Sequence, residues 1–210
     1  MHHKFYRFFV KRFLDIVFSF LGIVLLSPLF LIISILNLLF LGRPIFFIQD
    51  RIGRGNKPFK LLKFKSMKNK NNGSDDDDEI RLTKYGKLIR SLSIDELPEL
   101  FNIFVGKMSF IGPRPLLKEY LPLYNDQQIR KHEVMPGLTG LAQVNGRNLL
   151  TWEEKFDYDV YYVDNLSFFL DFKIFLKTFA VVFNRKGISQ SGKATMDKFT
   201  GNEKDDKTKG

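Results

Sequence analysis

Two adjacent carboxylates in the segment SLSIDELPELFN, residues 91–102, are side chains suited to phosphate chemistry. Pro98 is tolerated only in the first turn of a helix, so the segment predicts a helix that begins near Asp95. Neighbouring residues on a helix point in different directions, so Asp95 and Glu96 would not share one proton. They could instead divide the work, with one attacking phosphorus as a nucleophile and the other binding a metal ion.

The same carboxylates also have structural interpretations. Asp95 is a typical N-cap residue, and Ser93 with Glu96 has the spacing of a capping box. Taken alone, the segment favours capping. The catalytic interpretation therefore depends on what surrounds it.

Two further segments carry groups that bind phosphate or a nucleotide sugar. In FIGPRPLL, residues 110–117, two prolines stiffen the backbone around Arg114 and fix the direction of its guanidinium, whose planar fork suits phosphate. The glycine-rich segment PGLTGLAQVNGRN, residues 136–148, adds four polar side chains: Gln143, Asn145, Arg147 and Asn148. It is neither a GxGxxG motif nor a P-loop. A rigid turn remains open as the alternative interpretation of residues 110–117, and an ordinary loop as that of residues 136–148.

Composition points to an anionic partner and excludes several chemistries. The chain has 33 basic and 23 acidic residues and a formal charge of +10, which suits a phosphate-bearing substrate, an anionic lipid or nucleic acid. The absence of cysteine excludes disulfides and thiol nucleophiles. Aromatic residues among lysines in FKLLKFK, residues 59–65, leave nucleic-acid binding as one rival hypothesis. A non-enzymatic basic membrane anchor is a second.

One apolar segment is long enough to enter a membrane. No residue from Ile16 to Gly42 is charged. Ser27 and Pro28 lie at its centre, where a proline kinks or breaks a helix. Basic residues flank both ends, whereas a crossing helix normally shows a charge asymmetry. A kinked crossing helix is one interpretation, but a segment that enters and returns explains both features. We therefore predict a re-entrant helix–break–helix with both flanks on the cytoplasmic side, which makes nucleic acid an improbable partner.

The remaining patterns predict an α+β fold that is mainly helical. Two apolar runs around a Gly/Asn turn in residues 44–67 predict a small antiparallel β-hairpin. Residues 82–92 have helical spacing with interspersed cations, as in an interfacial amphipathic helix. Residues 165–185 are apolar but interrupted by charges, which favours the membrane interface or the core over crossing. Residues 68–79 form a polar loop, whose aspartates at 75–78 are expected to be solvated.

These elements divide the chain into three parts. Residues 1–43 are the predicted re-entrant membrane helix with its basic flank. Residues 44–200 are expected to form a membrane-associated catalytic domain in the cytoplasm, and residues 201–210 a disordered tail. The expected protein is monotopic, which means that it enters only one leaflet.

Five motifs, in this order behind the apolar segment with Ser-Pro, resemble the bacterial sugar transferase family of monotopic phosphoglycosyl transferases. The motifs are KFKSM, IRSLSIDELPELFN, GKMSFIGPRP, PGLTGLAQVNGRN and DVYYV. The resemblance extends from about Lys11 to the FTGN near the C-terminus. It is nearest to the small members that transfer diacetylbacillosamine phosphate. Family members often have Gln where Glu99 stands and Trp where Leu141 stands.

The resemblance implies an activity and a role for each matching residue. The reaction would move a sugar 1-phosphate from a UDP-sugar to polyprenyl phosphate and release UMP. Asp95 would be the nucleophile, forming an acyl phosphate, and Glu96 would help to hold Mg²⁺. The substrate ligands would be Lys63, Arg90, Arg114, Gln143, Asn145, Arg147 and Asp159. The expected donor is a UDP-linked N-acetylated deoxyamino sugar, and the expected location is the cytoplasmic face of the bacterial inner membrane.

Overall fold

The structure is a computed structural model that describes residues 5–69, 81–146, 149–184 and 198–202. Arg147, Asn148, the aspartates at 75–78 and most of the predicted tail lie outside the described residues. The first described segment, Tyr6–Val10, is a π-type turn that leads directly into a pair of apolar helices. These are α1, Lys11–Leu25, and α2, Ser27–Leu41.

The two apolar helices meet at an angle of 61°. Pro28 has no N–H to donate to the Val24 carbonyl, and the Ser27 hydroxyl donates to that carbonyl instead, at 2.8 Å. This arrangement confirms the break predicted at Ser27-Pro28. No single described helix has the length and apolar composition needed to cross a membrane, whereas the bent pair meets both criteria when its helices are taken together.

The predicted hairpin is confirmed. Strand β1, Phe46–Ile52, pairs antiparallel with β2, Pro58–Phe64, over the whole length of both strands. A 3₁₀ turn at Arg54–Asn56 connects them. Gly55 has a φ of 68° there, in the left-handed region that favours glycine.

The segment around the acidic pair differs from the predicted helix. Helix α3, Lys84–Ser91, ends before it, a 3₁₀ turn spans Ile94–Glu96, and helix α4 begins only at Glu99 and ends at Phe104. A helical segment does begin near Asp95, directly after Ser93 turns the chain with a left-handed φ of 55°, but its first turn is 3₁₀ and the α-helix begins only at Glu99. Neither capping interpretation applies, since no side-chain cap bond forms at this turn or at the start of α4.

The second half of the described chain surrounds a parallel strand pair that the sequence patterns did not predict. Strand β3, Ser109–Ile111, pairs with β4, Gly137–Thr139. Two short 3₁₀ segments lie between them, at Lys118–Leu123 and Gln128–Glu133. Three helices follow: α5, Leu141–Asn145, α6, Trp152–Asp164, and α7, Phe168–Asn184.

The glycines of the glycine-rich segment allow the backbone to pack closely against itself. A Cβ atom on Gly137 would lie 2.1 Å from the Gly112 nitrogen, and one on Gly140 would lie 2.1 Å from the Gly112 oxygen. Both positions therefore require glycine for packing. At these two positions, the glycines let two parts of the chain approach each other closely.

Helix α7 packs one face against the core and exposes aromatic rings on the other. Ile174 is fully buried in a cluster with Tyr162 and Val134. The exposed face carries large apolar side chains: Phe168, Phe169, Phe172, Phe175, Leu176 and Phe179. Together with the hairpin, these helices confirm an α+β fold that is mainly helical with a small antiparallel sheet.

Candidate active site

The acidic pair lies on the 3₁₀ turn between α3 and α4. The left-handed conformation of Ser93 costs a non-glycine residue about 1–2 kcal/mol, and it reverses the chain so that the next residues face strand β2. Asp95 is only 9% exposed. The side chain of Glu96 is 20% exposed.

Asn102 holds this turn against the hairpin. Its side-chain oxygen accepts from the Leu62 N–H at 3.0 Å, and its side-chain nitrogen donates to the Lys60 carbonyl at 2.8 Å. Because Asn102 of α4 forms hydrogen bonds with the backbone of both Lys60 and Leu62, the position of helix α4 relative to strand β2 is fixed. Lys63, the next residue on the strand, is thereby placed beside the carboxylates.

Four charged side chains form the centre of the site. The Lys63 ammonium lies 2.7 Å from Oε1 of Glu96 and 3.1 Å from Oε1 of Glu99. The Arg114 guanidinium donates to the same oxygen of Glu96 at 3.1 Å. The structure therefore brings together Lys63, Glu96 and Arg114, which come from three separate sequence motifs.

The three carboxyls have different ionisation behaviour. Burial, reinforced by the charge of Glu96 and opposed by nearby cations, raises the pKa of Asp95 to about 6. Burial alone would also raise the pKa of Glu96, but Lys63 and Arg114 hold it well below its usual range. Burial, with Glu96 adding to it and Lys63 opposing it, raises the pKa of Glu99 to about 7. At neutral pH, Glu96 is thus a fixed anion and Asp95 is mostly ionised but poorly solvated.

Arg90 lies at the edge of this cluster. Its Nε donates to the Ser66 hydroxyl at 2.8 Å, which joins helix α3 to the end of the KFKSM motif. Its charge is among those that lower the pKa of Asp95 against the effect of burial. Arg90 is therefore close enough to act electrostatically on the acidic pair.

Two of the residues predicted from the glycine-rich segment, Gln143 and Asn145, lie on α5. Asn145 donates to the Leu141 carbonyl at 2.9 Å, and its side-chain oxygen accepts from Lys177 of α7 at 3.0 Å. Both polar atoms of the Gln143 amide are buried and have no hydrogen-bond partner among the described residues. The substrate roles of these two residues stay predictions.

Asp159 is buried in an ion pair. Its Oδ2 lies 2.6 Å from the Lys131 ammonium, and the two side chains are only 4% and 2% exposed. This contact joins helix α6 to the 3₁₀ segment before β4. The contact gives Asp159 a structural role, and its predicted role in binding substrate stays a prediction.

Sequence reasoning missed two residues of the site, Glu99 and Asn102. Glu99 was noted only as a departure from the family pattern, although it stands three residues after Glu96 in the same motif. It is 3% exposed and shares Lys63 with Glu96. The spacing of three residues between Glu96 and Glu99 is the one sequence signal that could have identified Glu99. Asn102, at the end of the motif, offers no chemical signal because its partners are backbone atoms of a distant strand.

The donor set fits a magnesium ion that shares its ligands with a substrate. Carboxylates are typical Mg²⁺ ligands, and the ion commonly takes one or two from the protein together with substrate phosphates. Glu96 supplies one such carboxylate. Within the described ranges, no three Asp, Glu, His or Cys side chains cluster in a way that could hold an ion alone. Glu96 therefore suits an ion that arrives with a diphosphate and takes other ligands from it.

Comparison with known proteins gives three informative relatives. "Uncharacterized sugar transferase EpsL" of Bacillus subtilis is 48% identical over 91% of this chain and 96% of its own length. A Klebsiella pneumoniae protein named UDP-glucose:undecaprenyl-phosphate glucose-1-phosphate transferase is 40% identical over 83% of this chain. An Aeromonas hydrophila protein is 37% identical over 83% of it, and is named UDP-N-acetylgalactosamine-undecaprenyl-phosphate N-acetylgalactosaminephosphotransferase. The match covers only 40% and 44% of the Klebsiella and Aeromonas proteins.

These relatives, together with a site of carboxylates and cations, define an enzyme that transfers a sugar phosphate. The family model described as bacterial sugar transferase matches residues 6–185. The chain belongs to that family.

Proposed function

We propose that this enzyme transfers a sugar 1-phosphate from a UDP-sugar to undecaprenyl phosphate and releases UMP. The observation that carries the proposal is the pair of unlike carboxylates: a poorly solvated Asp95 beside a Glu96 that two cations keep ionised. The acceptor is taken from the printed names of the Klebsiella and Aeromonas relatives. The product, a sugar on undecaprenyl diphosphate, is the first membrane-bound intermediate in the assembly of a glycoconjugate.

The proposed reaction has two displacements at one phosphorus atom. An oxygen of Asp95 attacks the β-phosphorus, the bond from that phosphorus to the bridging oxygen breaks, and UMP leaves with the bridging oxygen. An oxygen of undecaprenyl phosphate then attacks the same phosphorus. The acyl phosphate bond breaks, and Asp95 is regenerated as a carboxylate. Covalent catalysis of this kind replaces one difficult step with two easier ones.

The cations stabilise the charge that develops on the transferred phosphate. Lys63 and Arg114 already flank Glu96, at 2.7 and 3.1 Å, and can turn to phosphate oxygens once a diphosphate is bound. Arg90 adds a positive charge near Asp95. Arg147 is proposed as a further diphosphate ligand, and Gln143, Asn145 and Asp159 as contacts to the nucleotide or sugar.

Mg²⁺ is the proposed cofactor, held by Glu96 together with substrate oxygens. It would draw charge off the diphosphate when bound. The fixed negative charge of Glu96 is what the protein supplies for it.

The proposed location is the cytoplasmic face of the bacterial inner membrane. A soluble UDP-sugar and a lipid phosphate can meet only at that surface. The bent pair α1–α2 is proposed to enter one leaflet and return, with basic flanks on the cytoplasmic side at both ends. The exposed aromatic face of α7 would then lie in the interface, where a helix of that kind is stable.

The donor sugar is proposed to be an N-acetylated deoxyamino sugar, by resemblance to one subfamily. The names of the Klebsiella and Aeromonas relatives give two different sugars, glucose and N-acetylgalactosamine, so the donor must be measured. The test is to incubate the purified protein in lipid with undecaprenyl phosphate, Mg²⁺ and a panel of UDP-sugars. One of them should give UMP that depends on both the metal and the acceptor. Release from none of the panel would favour the rival interpretation, a basic membrane anchor without activity.

A further inference from the structure

Phe47 stands directly across the hairpin from Lys63 of the acidic site. Side chains opposite each other on an antiparallel pair project from the same face, with Cβ atoms about 4.5–5.5 Å apart. The Lys63 ammonium is 2.7 Å from Glu96. The Phe47 ring is therefore a neighbour of the charged centre, although nothing in the motif analysis selected it.

Two other residues show where this face of the hairpin points. Alternate residues of a strand share a face, so Gln49 and Arg51 project on the same side as Phe47. Arg51 donates to the Gln49 side chain at 2.6 Å and to the Pro115 carbonyl at 3.3 Å. Pro115 follows Arg114 directly. The Phe47 face therefore looks toward the segment that carries the second cation of the site.

The apolar side chain of Phe47 leaves much of its surface uncovered by the rest of the protein. It is 47% exposed, and among the described residues no aromatic ring stacks on it. Phe46, on the other face, stacks on Phe64 with ring centroids 5.4 Å apart. An apolar ring left open beside this charged centre suits a ligand in which a charged group is joined directly to hydrocarbon.

The position of Phe47 in the chain indicates the direction in which such a hydrocarbon would extend. Strand β1 begins only a few residues after the apolar helix α2 ends at Leu41. Phe47 thus stands across the hairpin from Lys63 and lies six residues along the chain from the end of α2, so a ligand that extends from the charged centre toward the apolar helices can contact its ring.

We propose that Phe47 contacts the first isoprene units of the polyprenyl phosphate acceptor and helps to place its phosphate beside Asp95. The inference rests on the proposed function and assigns the acceptor site within it. Phe47 would act only in the second displacement, because the first involves no acceptor.

The test separates the two displacements in the variant Phe47→Ala. UMP release from the UDP-sugar without acceptor should match that of the wild type. The KM for undecaprenyl phosphate should rise about tenfold with little change in kcat, a difference of about 1.4 kcal/mol in binding. Phe47→Leu, which keeps an apolar side chain, should recover much of the loss.

Ile48→Ala is the matched control. Ile48 is adjacent, 56% exposed and on the opposite face of the hairpin, so its loss should leave the KM for the acceptor unchanged. Short acceptors give a second control. If the contact is with the first isoprene units, farnesyl phosphate should lose as much affinity for Phe47→Ala as undecaprenyl phosphate does.

Three results would overturn the assignment: an unchanged KM in Phe47→Ala, an equal rise in Ile48→Ala, or slower UMP release without acceptor. The second would indicate general membrane anchoring, and the third a contact to the donor. Calorimetric binding of farnesyl phosphate needs no turnover, so it tests Phe47 separately. Weaker binding by Phe47→Ala but not by Ile48→Ala supports the assignment even if no UDP-sugar is turned over, and equal binding overturns it.

Discussion

Asp95 and Glu96 are neighbours in the chain but occupy unlike environments. Asp95 is buried, which raises its pKa, whereas Glu96 bonds to Lys63 and Arg114, which lower its pKa. Two carboxyls whose pKa values are pushed apart by their surroundings are suited to different roles. The ionised but poorly solvated Asp95 is the better nucleophile, and the permanently anionic Glu96 is the better ligand for a cation.

The rate of the first displacement should therefore depend on pH near the pKa of Asp95, about 6. Below that pH the carboxyl is protonated and cannot attack, so kcat/KM for the UDP-sugar should fall as pH decreases through 6 and level off above it. The measurement is UMP release across this range.

Glu99 provides the control for that profile, because burial raises its pKa to about 7. Glu99→Gln should keep the fall at low pH, since the charges that act on Asp95 come from Glu96 and the cations. If the fall disappears in Glu99→Gln, the profile reports Glu99 and the assignment of Asp95 is wrong.

At this scale, the motifs predicted which residues form the charged centre but not how they interact. Lys63, Glu96 and Arg114 were each selected from a separate motif, and the structure brings them within ion-pair distance. Glu99 was not selected, because its burial and its shared lysine depend on a strand that is distant in sequence. A residue's neighbours in the chain do not reveal such a contact.

The bent pair of apolar helices supports a prediction about single elements. Ser27→Ala/Pro28→Ala restores the backbone donor and removes the hydroxyl that bonds Val24, so the break should weaken. A straighter helix would carry the N-terminus across the membrane in part of the population.

Labelling single cysteines in intact cells measures this, because the chain has no cysteine of its own. In the unmodified background, His3→Cys and Lys60→Cys should both be protected from an impermeant reagent applied outside. Lys60 is a suitable reference because its side chain is 75% exposed. In the double variant, position 3 should become partly reactive. External reactivity of position 3 alone in the unmodified background would show that the segment crosses.

The Lys131–Asp159 pair supports a second prediction for the elements. Removing one partner leaves an uncompensated buried charge, so Lys131→Met should lower the free energy of unfolding by about 3–5 kcal/mol. Thermal denaturation in lipid measures this. Lys118→Met, the same substitution at an exposed position of the 3₁₀ segment Lys118–Leu123, is the control. If Lys131→Met keeps full stability but raises the KM for the UDP-sugar, the pair belongs to the substrate site.

The elements whose positions depend on a few adjacent residues were predicted correctly. The Gly53–Asn56 turn specifies the hairpin, and Ser27-Pro28 specifies the break. The start of α4 at Glu99 was predicted too early, because the sequence pattern did not distinguish the 3₁₀ turn at Ile94–Glu96 from the first turn of an α-helix. Strands β3 and β4 were not predicted, since each has only three residues and its partner lies far away in the chain.

In the molecule as a whole, polar contacts tie the apolar helices to the rest of the fold. Asp171 of α7 accepts from Lys11 at 2.6 Å and from Tyr6 and Tyr162 at 2.7 Å. Asn37 of α2 is fully buried and donates to the carbonyls of Ile45 and Lys65 at both ends of the hairpin base. The apolar pair is therefore joined to the same hairpin that carries Lys63.

A site fixed in this way, with a covalent intermediate, predicts the kinetic order. UMP can leave before the acceptor binds, so the enzyme should follow ping-pong kinetics. Initial rates at several concentrations of undecaprenyl phosphate should give parallel double-reciprocal lines. Intersecting lines would indicate direct transfer in a complex with both substrates.

The central claim is that Asp95 carries the sugar phosphate between the two substrates, and intact-protein mass spectrometry tests it most directly. The protein, incubated with Mg²⁺ and the active UDP-sugar but without acceptor, should gain the mass of one sugar phosphate and release one equivalent of UMP. Peptide mapping should place the added mass on Asp95, and undecaprenyl phosphate should remove it. Asp95→Asn should fold normally, gain no mass and show no turnover. The same adduct on Asp95→Asn, or substantial UMP release by that variant, would contradict the account.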